Sequence, residues 1–187
     1  MISNLEAPIL GLVHEGFRYG YEMEKIIEER NMRNWTEIAF SSIYYVLKKL
    51  EKKELITSDT ERISGRSRKI YQVTPQGEKA LKEKIRELTS NYQQITDPFD
   101  LGIGFLDRLP HEEIIASLRS YIDSLEEHER FLEGRLADIE KSDWPPHIRG
   151  LVTRPLAMLG AEKKWVEGYI RDLERYHLEK EESHESR

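Results

Sequence analysis

Residues 41–56 read Ser41-Ser42-Ile43-Tyr44-Tyr45-Val46-Leu47-Lys48-Lys49-Leu50-Glu51-Lys52-Lys53-Glu54-Leu55-Ile56. Ile43, Leu47 and Leu50 recur at spacings of four and three, which places them on one face of a helix. Ser42, Tyr45, Lys48, Lys49 and Lys52 fall on the remaining faces, with Glu51 the one acid before residue 54. An apolar back with a cationic, hydrogen-bonding front suits the major groove of DNA, where base edges and phosphates both need donors. The same pattern also describes an ordinary solvated amphipathic helix, so the flanking sequence has to decide.

Charge is distributed unevenly around this stretch. The net charge of −6 is mildly unfavourable for nucleic acid. Residues 1–80 nonetheless carry 13 Lys+Arg against 12 Asp+Glu, whereas residues 81–187 carry 16 against 23. Within 40–72 the balance is 8 against 4. Phosphate binding depends on local cationic surface, and the positive charge gathers where the helix lies. Composition, at 38% apolar and 34% charged, fits a folded helix-rich chain of one domain or two small ones. The absence of cysteine excludes disulfides, thiolate zinc sites and cysteine nucleophiles. No signal peptide opens the chain and no apolar run nears the ~20 residues of a membrane span, so a cytoplasmic location is expected.

Upstream, Ser3 and Glu6 have capping-box spacing, and Leu5, Ile9, Leu12 and Val13 form a short apolar helix that Gly16 ends. Tyr19-Gly20-Tyr21 opens a second helix with Met23, Ile26 and Ile27 inward. A polar loop, Asn31 to Thr36, leads to the quoted stretch as the third helix, outlining a helix-turn-helix core. Downstream, Leu55, Ile56 and Thr57 start a strand, Arg62 to Ser67 is a turn, and Arg68 to Val73 is a second strand. That hairpin is the wing of a winged helix. Arg62, Arg66, Arg68 and Lys69 at its tip either meet the DNA backbone or minor groove or make a soluble turn.

Thr74-Pro75 starts a fourth helix, with Leu81, Ile85, Leu88 and Tyr92 as a coiled-coil-like seam. Thr96-Asp97-Pro98 breaks it, giving expected domains of 1–95 and 96–187. In the second, Gly102 and Gly104 read as packing glycines within an apolar run. Pro110 opens a long helix with Ile115, Leu118, Ile122, Leu125, Leu132, Leu136 and Ile139 in heptad rhythm, interrupted by Glu129. Glu129 either sets register or is simply solvated. Asp143-Trp144-Pro145-Pro146 turns the chain. A last helix carries Val152, Leu156, Leu159, Val166, Ile170 and Leu173, with Pro155 kinking or restarting it and a frayed end after Tyr176. Such a two-helix arm cannot bury all its apolar surface, and a two-fold dimer is the commonest remedy. The fold class expected is mainly α with one β-hairpin: an N-terminal winged helix-turn-helix followed by an antiparallel long-helix dimerisation domain.

No phosphate-binding loop, nucleophile elbow or His-Glu-x-x-His helix occurs, and the six histidines have no pair at helical spacing. Neither an enzyme, a metal site nor a cofactor is expected.

Ile9-Leu10-Gly11-Leu12, Tyr19-Gly20-Tyr21-Glu22, Ser42-Ile43-Tyr44, Leu47-Lys48-Lys49-Leu50-Glu51, Tyr71-Gln72-Val73-Thr74 and Gly77, in that order, resemble the PadR family of transcriptional regulators. The second half resembles that family's virulence-activator-type α-helical C-terminal domain, with Gly160 and Trp165 at positions where such domains often carry Gly and Trp. The resemblance implies a homodimeric winged-helix DNA-binding protein, usually a repressor, on a near-palindromic operator. It also implies response to small hydrophobic or phenolic compounds near the dimer interface. The family often has Gly at the position of Ser41 and Pro at that of Tyr45, so operator sequence does not carry over.

The DNA-binding residues expected are Ser41, Ser42, Tyr44, Tyr45, Lys48, Lys49, Lys52, Arg66, Arg68 and Lys69. Ser42, Tyr45 and Lys48 reach bases or nearby phosphates and the other cations neutralise phosphates, while Tyr44 is either DNA-proximal or half core. The dimerisation residues expected are Leu118, Ile122, Leu125, Leu132, Leu159, Trp165, Val166, Tyr169, Ile170 and Leu173. Trp165 and Trp144 either line an effector pocket or anchor packing. The rival reading is a coiled-coil adaptor whose winged helix no longer binds DNA.

Overall fold

The spacing of Ser3 and Glu6 closes a reciprocal cap in the computed structural model. The Ser3 amide donates to Glu6 Oε2 at 2.8 Å and the Glu6 amide to Ser3 Oγ at 3.2 Å. The chain divides into two units, Met1–Gln94 and Ile95–Arg187. The structure describes residues 1–39, 42–63, 66–94, 96–141 and 144–185, with the backbone alone at 63, 66, 181 and 183–185.

In the first unit, α1 (Glu6–His14), α2 (Gly20–Glu29) and α3 (Ile43–Lys52) enclose one apolar core. Ile9, Leu10, Met23, Ile27, Leu47 and Leu50 are fully buried in it. The back of α3 supplies Ile43 and Leu47 as its spacing predicts, and also Val46, one residue ahead of Leu47 on the same wide stripe. The stretch expected to be a polar loop after α2 contains a 3-10 turn, Met32–Asn34, with Met32 buried. A single apolar side chain thus pins a segment whose composition is otherwise polar.

Strands β1 (Ile56–Ile63) and β2 (Arg66–Val73) pair antiparallel from Ile56 opposite Val73 to Ile63 opposite Arg66. The ladder is longer than the sequence suggests: Arg62, expected in the turn, faces Ser67 across it. Arg68 and Lys69 are therefore not at the tip but within the ladder, opposite Glu61 and Thr60. Helix α4 (Pro75–Ser90) starts on Thr74, whose Oγ accepts from the Gly77 amide at 3.0 Å. Of the expected α4 seam, Leu81 enters the core, whereas Ile85 and Leu88 are exposed and Tyr92 lies beyond the helix end. Leu81 is the member close enough to α1 to be covered.

The second unit has α5 (Pro98–Ile103), α6 (His111–Glu140) and α7 (Pro146–Glu185). Partners descend along α7 as they ascend along α6. His111 stacks on His177, Arg119 meets Glu174, Lys163 meets Glu126 and Glu129, and Arg149 meets Glu140. The pair is an antiparallel hairpin. Glu129, out of place in an apolar seam, lies 3.3 Å from Lys163 Nζ. Helix α7 continues through Pro155 and through the Glu-rich segment after Tyr176, neither restarting at the one nor stopping at the other.

The hairpin itself covers part of the stripe expected to dimerise. Leu118, Leu125, Leu132, Val166 and Ile170, assigned to a dimer seam, are buried within the single chain. Leu118, Val166 and Ile170 form one core with Ile114 and Ile115. Two antiparallel helices satisfy each other's heptad stripes before any partner arrives. Ile122, Leu159, Tyr169 and Leu173 are half-buried, and Trp165 is half-exposed. The large apolar side chains left exposed on this hairpin include Phe131, Leu151, Met158 and Trp165.

Candidate nucleic-acid interface

The outer face of α3 carries Tyr44 and Tyr45, 58% and 65% exposed, with Lys48 and Lys52 also exposed. Among the described residues neither Lys48 nor Lys52 has an ion-pair partner, and the same holds for exposed Arg62 on β1. Ser42, just before α3, spends its hydroxyl on the Ala39 carbonyl, donating at 2.6 Å rather than capping the helix. Its two acceptor lone pairs remain for a ligand, and its one donor hydrogen only if the hydroxyl rotates away from Ala39. Ser41 and the side chain of Arg66 lie outside the described residues.

Lys49 and Lys53 face the other way. Both reach the carboxylate of Glu6, which is 1% exposed: Lys53 Nζ lies 2.7 and 2.8 Å from its two oxygens and Lys49 Nζ 3.3 Å from one. Burial pushes the Glu6 carboxyl up, but the hydrogen bonds from Lys53, the Ser3 amide and Lys49 outweigh it and hold it at about 2. The pair of lysines thereby locks the second half of α3 to the start of α1. Lys49, expected to neutralise a phosphate, already holds a carboxylate. No sequence signal joins Glu6 to residues 43 and 47 positions away; the contact exists only once the helices pack.

The wing is tied to the helices by an aromatic and ionic clasp. Arg68 stands 5.1 Å from the Tyr21 ring centroid and donates to the Tyr21 hydroxyl at 3.1 Å. Tyr21 stacks on Tyr19, whose hydroxyl donates to Glu61 Oε2 at 2.7 Å. That hydrogen bond, followed by partial burial, raises the Tyr19 pKa. Lys69 reaches Glu51 of α3 at 3.1 Å, and the Ser58 hydroxyl donates to the same carboxylate. Ser58 first and Lys69 second hold Glu51 below the ordinary carboxylate range. The one acid noted on the helix front is thus neutralised by the wing.

Tyr44 settles between its two readings. Its ring lies so close to Gly20 that a Cβ there would sit 2.6 Å from Cε1, yet more than half of the side chain faces solvent. Tyr19, Gly20, Tyr21, Tyr44, Arg68, Lys69 and Tyr71 together line a cavity of about 300 Å³. The sequence offers one hint of it, the run Tyr19-Gly20-Tyr21, in which a glycine at a helix start makes room for a ring from elsewhere. Among the described residues no cluster of His, Asp or Glu could hold a metal ion. No helix of the described chain is long and apolar enough to cross a membrane.

Comparison with known proteins agrees with this geometry. A family model described as the transcriptional regulator PadR-like family matches residues 9–83. An uncharacterized protein of Lysinibacillus sphaericus is 36% identical over 102 residues, which is 54% of this chain and 92% of the relative. Bacillus subtilis PadR in complex with operator DNA superposes with a TM-score of 0.73 at 23% identity, covering 90% of this chain and 98% of that one. The same protein in complex with p-coumaric acid gives 0.75 at 22%, covering 92% and 99%. The Vibrio cholerae virulence activator AphA gives 0.69 at 17%, again covering 92% and 99%. At these identities the structural likeness is one of fold, and it runs through both units.

Proposed function

We propose, for a chain that belongs to the transcriptional regulator PadR-like family, that it works as a homodimeric repressor whose α3 enters the major groove of a near-palindromic operator. The observation that carries this reading is the front of α3. Tyr45, Lys48 and Lys52 are exposed together there with no acid left unpaired among them, since Glu51 is held by Ser58 and Lys69. In this reading Ser41, Ser42, Tyr45 and Lys48 meet bases or nearby phosphates. Lys52, Arg66, Arg68 and Lys69 meet backbone, Tyr44 contributes its outer edge, and Lys49 acts mainly through Glu6. The first unit is the DNA-binding domain and the second the dimerisation domain.

Support for a dimer comes from the apolar surface that the α6–α7 hairpin leaves uncovered, with Phe131, Met158 and Trp165 each about half exposed. A small hydrophobic or phenolic effector acts on the second unit. Trp165 stacks on Tyr169 at 4.9 Å and meets Phe99 edge-on, and Phe99 stacks on Tyr121, an aromatic group able to receive a planar ligand. Bacillus subtilis PadR was solved with p-coumaric acid, a ligand of that kind. An effector preferring the DNA-free state lowers operator affinity by differential binding. A protein whose partner is DNA works in the cytoplasm of a bacterial cell.

Selection of bound duplexes from a random pool, followed by sedimentation of the complex, tests the whole reading. A two-fold symmetric consensus with two chains per duplex is expected. Recovery of no enriched sequence would favour the adaptor alternative.

A further inference from the structure

We propose that the aromatic surface around Trp165 in the second unit is a binding site for a small aromatic cation. This rests on the effector reading above and narrows it to ligands whose charge is opposite to that of a phenolic acid.

The rings stand on a covered core. Phe99, Tyr121 and Tyr169 pack against the cluster that Leu118, Val166 and Ile170 form with Ile114 and Ile115, which gives them a firm backing. Phe99 lies nearly parallel to Tyr121 with ring centroids 4.1 Å apart, and Trp165 nearly parallel to Tyr169 at 4.9 Å. Trp165 meets Phe99 edge-on at 6.3 Å, which joins the two stacks, and it is half exposed. Aromatic faces attract positive charge through their quadrupoles, and indole does so most strongly.

Charge at the same place points to the same occupant. Glu162 stands one turn before Trp165 on α7, and Asp97 and Asp100 flank Phe99 at the start of α5. None of the three carboxylates has an ion-pair partner among the described residues. Lys163, next to Glu162 in sequence, is committed to Glu126 and Glu129. Burial first, then the charges of Asp97 and Asp100, raise the Glu162 pKa. Burial followed by Glu162, Asp97 and Asp100 raises that of Tyr121, so the negative field converges on the rings themselves. Such a surface repels a carboxylate ligand. A flat cation fits it, because its body stacks on the rings while its charge serves as the counter-ion that the three acids lack.

Isothermal titration calorimetry of the full chain with probes of similar size tests this: N-methylquinolinium as the cation, quinoline as the neutral ring and quinoline-3-carboxylate as the anion. The cation is expected to bind one site per chain about tenfold more tightly than quinoline, and the anion more weakly than either. Glu162→Gln/Asp100→Asn, checked for folding by thermal unfolding, should lower the affinity for the cation about tenfold and leave that for quinoline unchanged. Trp165→Leu should weaken both. A protonated Glu162 has to release its proton to meet a cation, so wild-type affinity should fall as pH is lowered from about 8 to about 5, and less so in the double variant. Equal affinity for the cation and quinoline, or a cation affinity that the double variant retains, overturns the inference. If quinoline-3-carboxylate or p-coumarate binds the wild type in place of the cation, the inference falls and the effector reading survives. If none of these compounds binds, both fall.

Discussion

Glu6 shows how one residue can govern a helix it does not belong to. Its folded pKa of about 2 lies below the ordinary 4.5, so the folded state binds its proton more weakly than the unfolded chain does. The stabilisation is therefore fully present above about pH 4.5 and is lost as pH falls from there toward 2. Glu6→Gln is expected to cost on the order of 2–3 kcal/mol at pH 7 and progressively less below pH 4.5, read by urea unfolding at a series of pH values. The two close-packed glycines of this unit should behave in opposite ways. At Gly77 a Cβ would stand 2.0 Å from the Leu55 carbonyl oxygen, which is backbone and already accepts from the Thr74 amide. Gly77→Ala should destabilise by ~2 kcal/mol or more, because nothing flexible can yield. At Gly20 the obstacle is the exposed edge of Tyr44, which can swing outward. Gly20→Ala should leave the melting temperature nearly unchanged while moving the Tyr44 ring, a difference visible in the aromatic NMR signals.

At the scale of elements, periodicity was a good guide wherever a helix packs on one side only. Ile43, Leu47 and Leu50 announce α3, and Thr74 with Pro75 announces α4, because capping and amphipathicity are local properties of sequence. A heptad stripe reports that a face is covered but not by what: Leu118, Val166 and Ile170, expected at a dimer seam, pack together within the α6–α7 hairpin of one chain. The wing was legible as a hairpin, but the positions of Arg68 and Lys69 were not, since register depends on which residues face each other across the ladder. Most of the candidate DNA surface was legible as residue types, whereas the aromatic cavity, assembled from three segments, was not. The helical hairpin carries its own uncompensated charge. Burial, then Asp97 and Asp100, raise the pKa of Glu162. The folded state thus binds that proton more tightly, and the ionised carboxylate costs stability at neutral pH, a cost that fades as pH falls. Glu162→Gln is expected to raise the melting temperature at pH 7 and to do so less at pH 5.

For the whole molecule, the two units divide labour by charge as well as by fold. The first holds the local excess of cations and the second the acidic surplus, so on the proposed reading attraction to DNA is confined to the first unit. A dimer with two-fold symmetry would present two α3 helices to half-sites about one helical turn apart or a multiple of it. Sedimentation equilibrium should return twice the mass of one chain, and Met158→Glu, on exposed surface of α7, should shift it toward one. A purely monomeric wild type at micromolar concentration would remove the dimer from the model of action. Pro155 gives α7 a mechanical property. Lacking an amide hydrogen, it leaves the Leu151 carbonyl without its usual helical bond, nine residues into a helix of 40. From there to Glu185 runs a rod of about 45 Å. A pivot of roughly ten degrees at that one missing bond would sweep the far end through about 8 Å, making α7 a lever with its fulcrum built in near one end.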